Sequence, residues 1–324
     1  MRLALVTEGM IHRSLDELMD WLAEHVPEVR DLEVGTGGYS PLRHSPLRLS
    51  AAGRRAWHAR ITARGFRIAA FNVSGNPLHP NRAIARRHDQ ALRRTIELAA
   101  DLGVDRIVAM SGCPGAGPGR STAPHFPANA WLPDYAGIAA WQFEARVRPY
   151  WEEIDALASA ASADLRICLE LHPGAHVFNV ESYLRLHAVA PGIAVNLDPS
   201  HLFWQQMEPL RVVERLGPLV AYAHAKDVRY HPAELALNGL LDSRWPGDPE
   251  HIPWDFAAVG HGVKDSGWWQ SFAAALAAGT SAPFLSIEHE DRLVAPEQGI
   301  PVSAAVLAAA LASGRTAATP TGKP

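Results

Sequence analysis

Four side chains that commonly bind divalent metals each follow a short apolar run in the sequence. They are Glu170, Asp198, His224 and Glu288, and the runs before them are typical of buried strands. Three carboxylates and one imidazole form a mainly oxygen ligand set, which suits Mn²⁺, Mg²⁺ or Co²⁺ better than a structural zinc site, since zinc prefers thiolates. Each acidic residue could instead cap the helix after its strand. Because the pattern recurs in consecutive units, we favour one metal site.

The chemistry expected of this site is proton abstraction next to a carbonyl. A divalent ion with open positions binds a carbonyl and its neighbouring hydroxyl, polarises the carbonyl and stabilises an enediolate. His172 lies two residues beyond Glu170, so an extended strand would place both side chains on one face. Imidazole is a ready base near neutral pH. We therefore predict His172 as the base, acting with Glu170 and Glu288; the alternative is that His172 only forms a supporting hydrogen bond.

Strand-like and helix-like segments alternate along the chain, which predicts a parallel sheet. Eight such units favour one (β/α)8 TIM barrel, with catalytic residues at the carboxyl ends of its strands. We expect the barrel to span residues 1–314 and residues 315–324 to form a disordered tail. The predicted strands are 3–7, 32–34, 66–73, 106–110, 165–171, 193–197, 219–223 and 284–287.

Further candidates follow other predicted strands. Two long irregular stretches, 111–140 and 229–267, are predicted at the carboxyl-terminal face of the barrel, where loops of this length usually bind or cover substrate. His79 follows the third strand and is predicted either to contact substrate or to be an ordinary loop residue. Lys226 is predicted to orient substrate or to form an ion pair, and we favour the ion pair.

Composition restricts the classes of partner. The chain has 324 residues, 48% of them hydrophobic, and a formal charge of −4, so no overall basic character points to nucleic acid. No uncharged apolar run reaches the length of a transmembrane helix. Two cysteines, Cys113 and Cys168, do not suggest a disulfide framework. We expect a cytoplasmic protein with a small-molecule substrate and without a nucleic acid or membrane partner.

The sequence contains the motifs CLELHP at 168–173, NLDPSH at 196–201, HAKD at 224–227 and IEHED at 287–291. Taken together, these four motifs resemble the signature strand ends of the sugar phosphate isomerase/epimerase family. That resemblance implies a xylose-isomerase-like TIM barrel with long loops at the carboxyl-terminal face. It also implies that Glu170, Asp198, His224 and Glu288 are the metal ligands, with Mn²⁺ the favoured ion, and that His201 lies beside substrate or metal.

The sequence departs from the ketose epimerases of that family. Those enzymes carry a second Glu six residues beyond the first ligand and an Arg six beyond the ligand His, whereas this chain has His176 and Tyr230. Residues 198–205 and 238–269 look most similar to the larger subunit of bacterial C-glycoside deglycosidases. This second resemblance implies β-elimination of an aglycone from a 3-oxo-glycoside, with His172 as base and a small β-sandwich partner subunit.

Three functions are therefore considered. The first is a metal-dependent isomerase or epimerase of a carbonyl sugar or cyclitol, and the second is a C-glycoside-cleaving lyase. The third is a phosphodiesterase similar to endonuclease IV, which would need more metal ligands and a basic groove. The net charge and the absence of a basic run in 229–267 disfavour this third function.

Overall fold

The computed structural model describes residues 1–119, 121–128 and 132–317. Eight of its strands lie close to the eight that the sequence predicts, and two short strands are additional. In chain order they are β1 (Arg2–Val6), β2 (Asp31–Gly35), β3 (Arg67–Asn72), β4 (Arg106–Ala109), β5 (Arg166–Glu170), β6 (Ala194–Leu197), β7 (Val220–Ala225), β8 (Asp227–Tyr230), β9 (Trp254–Ala257) and β10 (Phe284–Ile287).

A closed barrel is formed by all the strands except β8 and β9. Its order is β1-β10-β7-β6-β5-β4-β3-β2, and the pairings within it are parallel, as between β5 and β6 or β1 and β10. The strands are short and almost fully buried, which is expected for a barrel interior filled by side chains. The predicted TIM barrel is confirmed.

Helices alternate with the barrel strands. They are α1 (Leu15–His25), α2 (Ala51–Ala63), α3 (Arg82–Leu102), α4 (Ile138–Gln142), α5 (Arg148–Ala161), α6 (Val180–His187), α7 (Ser200–Phe203), α8 (Pro209–Leu216), α9 (Pro232–Asn238), α10 (Ser266–Gly279) and α11 (Pro296–Ala317).

Local signals in the sequence account for several helix ends. Ser14 caps α1 and forms a reciprocal capping box with Glu17. Helix α3 ends at Gly103, which adopts the left-handed conformation that favours glycine. The helix begins at Arg82. The first turns carry many arginines and little apolar periodicity. The side chain of Asn81 nevertheless caps them, because it accepts hydrogen bonds from two of their backbone N–H groups.

Residues 229–267 are more regular than the sequence analysis predicts. Strands β8 and β9 form an antiparallel two-stranded sheet, with Val228 opposite Phe256, and helix α9 lies between them in sequence. We call β8, β9 and the segment that joins them the ribbon. Between α4 and α5, residues Phe143–Val147 form a π-helical turn.

Internal contacts divide the chain into two compact units, residues 1–32 with 198–324 and residues 33–197. In the first, α10 packs against α8 and α11, and in the second α3 packs against α5. The predicted disordered tail begins at residue 315; α11 continues to Ala317, and residues 318–324 lie outside the described part of the chain. Among the described residues, no helix has the length and apolar character needed to cross a membrane.

Candidate functional site

The four predicted metal ligands end strands of the barrel. Glu170 is the last residue of β5, His224 lies near the end of β7, and Asp198 and Glu288 directly follow β6 and β10. Each offers one ligand atom, and these atoms all lie within 4.8 Å of one another. Three of the residues are buried and Glu288 is half-buried. The structure thus brings together the four residues that the sequence analysis grouped.

Glu288 lies between two nitrogen-bearing side chains. Its Oε2 atom is 3.0 Å from His224 Nδ1 and accepts a hydrogen bond of 2.7 Å from the ammonium of Lys226. Burial by itself raises the pKa of Glu288, but the charge of Lys226 and the contact with His224 outweigh it and hold that pKa well below its usual range. Glu288 is therefore an anion at neutral pH, the state that a metal ligand requires.

Both carboxylate oxygens of Asp198 have polar neighbours. Oδ1 accepts the backbone N–H of Ser200 at 2.8 Å, in the turn that opens α7. Oδ2 lies 3.2 Å from Lys226 Nζ and 3.6 Å from His201 Nε2. His201 is 2% exposed and packs edge-on against Phe256. It therefore lies directly beside a predicted ligand, where the resemblance suggested it would be.

Lys226 is the cation of this carboxylate cluster. Besides Asp198 and Glu288, its ammonium contacts Glu290 at 2.6 Å and lies 4.4 Å from the centre of the Phe256 ring. It is 2% exposed, so its charge is almost withdrawn from water and balanced by these carboxylates. The neighbouring Asp227 instead accepts the backbone N–H groups of Val228 and Lys264, and burial raises its pKa to about 6.

Glu290 and Phe256 are site residues that the sequence analysis did not single out. Glu290 follows Glu288 by two residues, a spacing that could have signalled it. Phe256 belongs to β9, inside a stretch predicted to be irregular, so no periodicity pointed to it. Its ring contacts both His201 and Lys226, which makes the ribbon part of the site.

Glu170 and His172 come together through a turn rather than through an extended strand. Strand β5 ends at Glu170, and the backbone N–H of His172 donates back to the Glu170 carbonyl at 2.9 Å. Ligand atoms of Glu170, His172 and His201 nevertheless lie within 4.8 Å of one another. The predicted proximity is present, but the period-two argument for it is wrong because the chain bends after β5.

The ring of His172 is oriented by the backbone. Its Nδ1 lies 2.5 Å from the carbonyl oxygen of Pro173. A carbonyl can only accept, so Nδ1 carries the hydrogen and the lone pair of the neutral ring resides on Nε2. This tautomer leaves Nε2 able to take a proton.

His79 has a structural role in the turn before α3. Its Nδ1 accepts the backbone N–H of Asn81, the residue that caps α3, at 2.9 Å, and burial lowers the pKa of the ring. Among the described residues, neither of the two groups with metal-binding geometry includes His79. Its predicted contact with substrate therefore stays a prediction.

The residues at the site fit a divalent ion. Ligand atoms of three carboxylates and one imidazole lie within 4.8 Å of one another, and such like-charged groups gather in a protein interior only beside cations. Asn196 donates to Oε1 of Glu170 at 3.3 Å and so orients that carboxylate from behind. The set contains no thiolate, which separates it from structural zinc sites.

The chain is similar to known proteins in sequence and in fold. The chain is 33% identical over 312 residues to the uncharacterized protein YfiH of Bacillus subtilis (strain 168), covering 95% of this chain and 98% of that protein. Its fold is similar to that of IOLI protein with a bound zinc atom (TM-score 0.65, 14% identity, 97% of this chain and 99% of that one). It is also similar to L-ribulose 3-epimerase (TM-score 0.60, 15% identity, 100% of this chain and 99% of that one).

A family model provides the assignment. The model for the xylose isomerase-like TIM barrel matches residues 32–310, which include the four ligand-bearing strand ends. The chain therefore belongs to the family of xylose isomerase-like TIM barrels.

Proposed function

We propose that this protein is a divalent-metal-dependent enzyme that removes the α-proton of a carbonyl sugar or cyclitol and returns it in an isomerisation or epimerisation. The observation that carries the proposal is the convergence of Glu170, Asp198, His224 and Glu288, with His172 beside the first of them. Mn²⁺ is the ion that we propose, because the donors are mainly oxygen with one imidazole. The free, buried state of Cys113 and Cys168 supports a cytoplasmic setting.

The roles of the side chains follow from their contacts. The four ligands would hold the ion, which when bound supplies Lewis-acid polarisation of the substrate carbonyl. His172 accepts the α-proton at Nε2, since Nδ1 is committed to Pro173. The ammonium of Lys226 lies beside both Asp198 and Glu288 and holds these two carboxylates in place. His201 lies close enough to Asp198 to contact a bound sugar hydroxyl.

Deuterium uptake from solvent tests this proposal. Protein loaded with Mn²⁺ is incubated in heavy water with D-fructose, an inosose or a 3-oxo-glucoside, and each sugar is recovered and weighed by mass spectrometry. We expect carbon-bound deuterium without loss of any substituent. His172→Gln should slow uptake by about 10²-fold or more while metal binding is retained. His58→Gln, which changes a half-buried histidine on α2, is the matched control.

Two results would contradict the assignment. Uptake at the normal rate by His172→Gln would exclude that residue as base. Retained metal and activity in a Glu170→Gln, Asp198→Asn double variant would overturn the site as a whole.

A second candidate, the lyase that releases an aglycone from a 3-oxo-glycoside, is favoured by the aromatic lining of the ribbon. Trp204 stacks on Trp254, with ring centres 4.9 Å apart, and Trp254 meets Phe256 edge-on. Trp204 and Trp254 line a cavity of about 140 Å³ together with Trp245. Within the described chain, the buried indole N–H of Trp204 has no hydrogen-bond partner, so it could serve a flat, oxygen-bearing aglycone.

The same incubations separate the two candidates. Aglycone release from a C-linked 3-oxo-glucoside, accompanied by loss of the α-proton, would favour the lyase. Release that appears only after a small subunit is added would identify the proposed partner as well. Deuterium uptake with the aglycone intact would favour the isomerase or epimerase.

A further inference from the structure

A cavity of about 580 Å³ opens among the segment after β2, helix α2 and helix α3. Its lining residues all lie in the unit formed by residues 33–197. Helix α3 contributes Arg87, Gln90, Ala91, Arg94 and Glu97, which are spaced so that they share one face. The volume is in the range of small-molecule sites.

Four arginines line this cavity, opposed by one lining carboxylate, that of Glu97. Arg54 donates to Asp101 and to the carbonyl of Leu47, which fixes its guanidinium at the wall. Arg48 and Arg94 have no ion pair within the described part of the chain. Burial, together with the charge of Arg87, lowers the pKa of the adjacent His88. This ring therefore adds little positive charge beside the cavity. The groups at the cavity therefore carry a net positive charge in a chain whose formal charge is −4.

The wall of the cavity is held in place by buried hydrogen bonds. The side-chain oxygen of Asn72, at the end of β3, accepts a hydrogen bond from the Ser40 hydroxyl. The side-chain amide N–H of Asn72 donates to Glu33. Thr95 of α3 donates to Thr36 across the cavity floor at 2.9 Å. Gly38 has φ +75°, and a Cβ there would lie 2.1 Å from the Ser74 carbonyl oxygen, so the close approach of the two segments requires glycine. The site is thus built before any ligand arrives.

We propose that this arginine-lined cavity binds a phosphate group, either free or carried by a small phosphorylated sugar. Guanidinium groups match phosphate oxygens as bidentate donors and stay charged at every physiological pH. Arg87 and Arg94 present such donors from α3 and Arg48 from the segment before α2, and Gln90 adds a neutral group for a hydroxyl. A bound phosphate would cross-link α2, α3 and the segment between β2 and α2. The inference is independent of the metal site.

Calorimetric titration of metal-free, full-length protein tests this proposal. The probes are inorganic phosphate, glucose 6-phosphate and, as a neutral control, glucose. We expect both phosphates to bind and glucose not to bind. Arg87→Gln with Arg94→Gln should raise the dissociation constant by about a hundredfold, because two charged hydrogen bonds are lost and each is worth roughly tenfold. Arg94→Gln alone should show a smaller change in the same direction.

Arg86→Gln is the matched control, since Arg86 is exposed on α3 next to Arg87 but does not line the cavity. For Arg86→Gln, the dissociation constant of each phosphate should equal that of the unchanged protein. Similar affinities for the two probes would identify free phosphate as the ligand, and tighter binding of glucose 6-phosphate would identify a sugar phosphate. Equal weakening by Arg86→Gln, or no binding of either phosphate, would overturn the proposal.

Discussion

His176 is a buried histidine that folding keeps neutral. Its ring stacks on Phe143, its Nδ1 lies 3.3 Å from the side-chain oxygen of Gln142, and its backbone N–H donates to Gly112. Burial, helped by the charge of Arg185, lowers the pKa of His176 from 6.5 to about 4. The unfolded chain therefore binds a proton here at a pH where the folded chain does not.

This difference predicts how stability depends on pH. The contribution of His176 is complete above pH 6.5 and is lost as the pH falls toward 4. Over that interval the free energy of unfolding should drop by roughly 3 kcal/mol more in the unchanged protein than in His176→Gln. Urea unfolding at several pH values measures the difference. His25→Gln, at the exposed end of α1, should retain the full pH dependence, and an equally steep curve for His176→Gln would contradict the assignment.

At the scale of elements, two ion pairs tie the ribbon to the segment that follows β10. Arg229 of β8 contacts Asp291 at 3.1 Å, and Arg292 contacts Asp255 of β9 at 2.7 Å. Asp291 also accepts the backbone N–H of Ala258. Burial by itself raises the pKa of Asp291, but Arg229 and the backbone N–H of Ala258 hold that pKa below its usual value. The same segment carries Glu288 and Glu290, so the ribbon is mechanically linked to the predicted ligand Glu288.

Loosening this tie should be measurable. We expect Asp291→Asn to reduce the free energy of unfolding by about 2 kcal/mol at neutral pH, because a buried, charged hydrogen-bond acceptor is lost. Asp248→Asn breaks an exposed pair with His251 and should leave stability unchanged. Chemical unfolding of both variants measures their free energies of unfolding. Equal effects would show that the buried pair of Asp291 with Arg229 adds no stability.

The elements also show what the sequence could and could not predict. The eight barrel strands are visible because each is a short apolar run followed by a ligand type or a turn. The ribbon is not, because β8 and β9 pair only with each other and their alternation covers four residues apiece. The π-helical turn at Phe143–Val147 leaves no mark in composition. The turn that brings His172 back to Glu170 depends on hydrogen bonds that form only in the folded chain.

At the scale of the whole molecule, the predicted ligands are far apart in sequence and meet only in the closed barrel. The unfolded chain therefore has no such site, and a bound ion must stabilise the folded state. At a metal concentration of about one hundred times the dissociation constant, the gain is about 2.7 kcal/mol.

Thermal unfolding with and without metal measures this gain. Adding Mn²⁺ to chelator-treated protein should raise the melting temperature, and a chelator should reverse the shift. Asp198→Asn should reduce the shift strongly, whereas Asp164→Asn, an exposed change just before β5, should leave it intact. A shift of equal size in Asp198→Asn would mean that the ion binds elsewhere.

The burial of Lys226 has a consequence for the ligands that the site can select. The three predicted carboxylate ligands bring three negative charges, a divalent ion brings two positive charges, and the ammonium of Lys226 adds the third. The loaded inner site is therefore electroneutral, with Glu290 at its half-exposed boundary. An uncharged molecule enters such a site without electrostatic cost. Discrimination there must depend on shape and on the pattern of hydroxyl groups, and not on net charge.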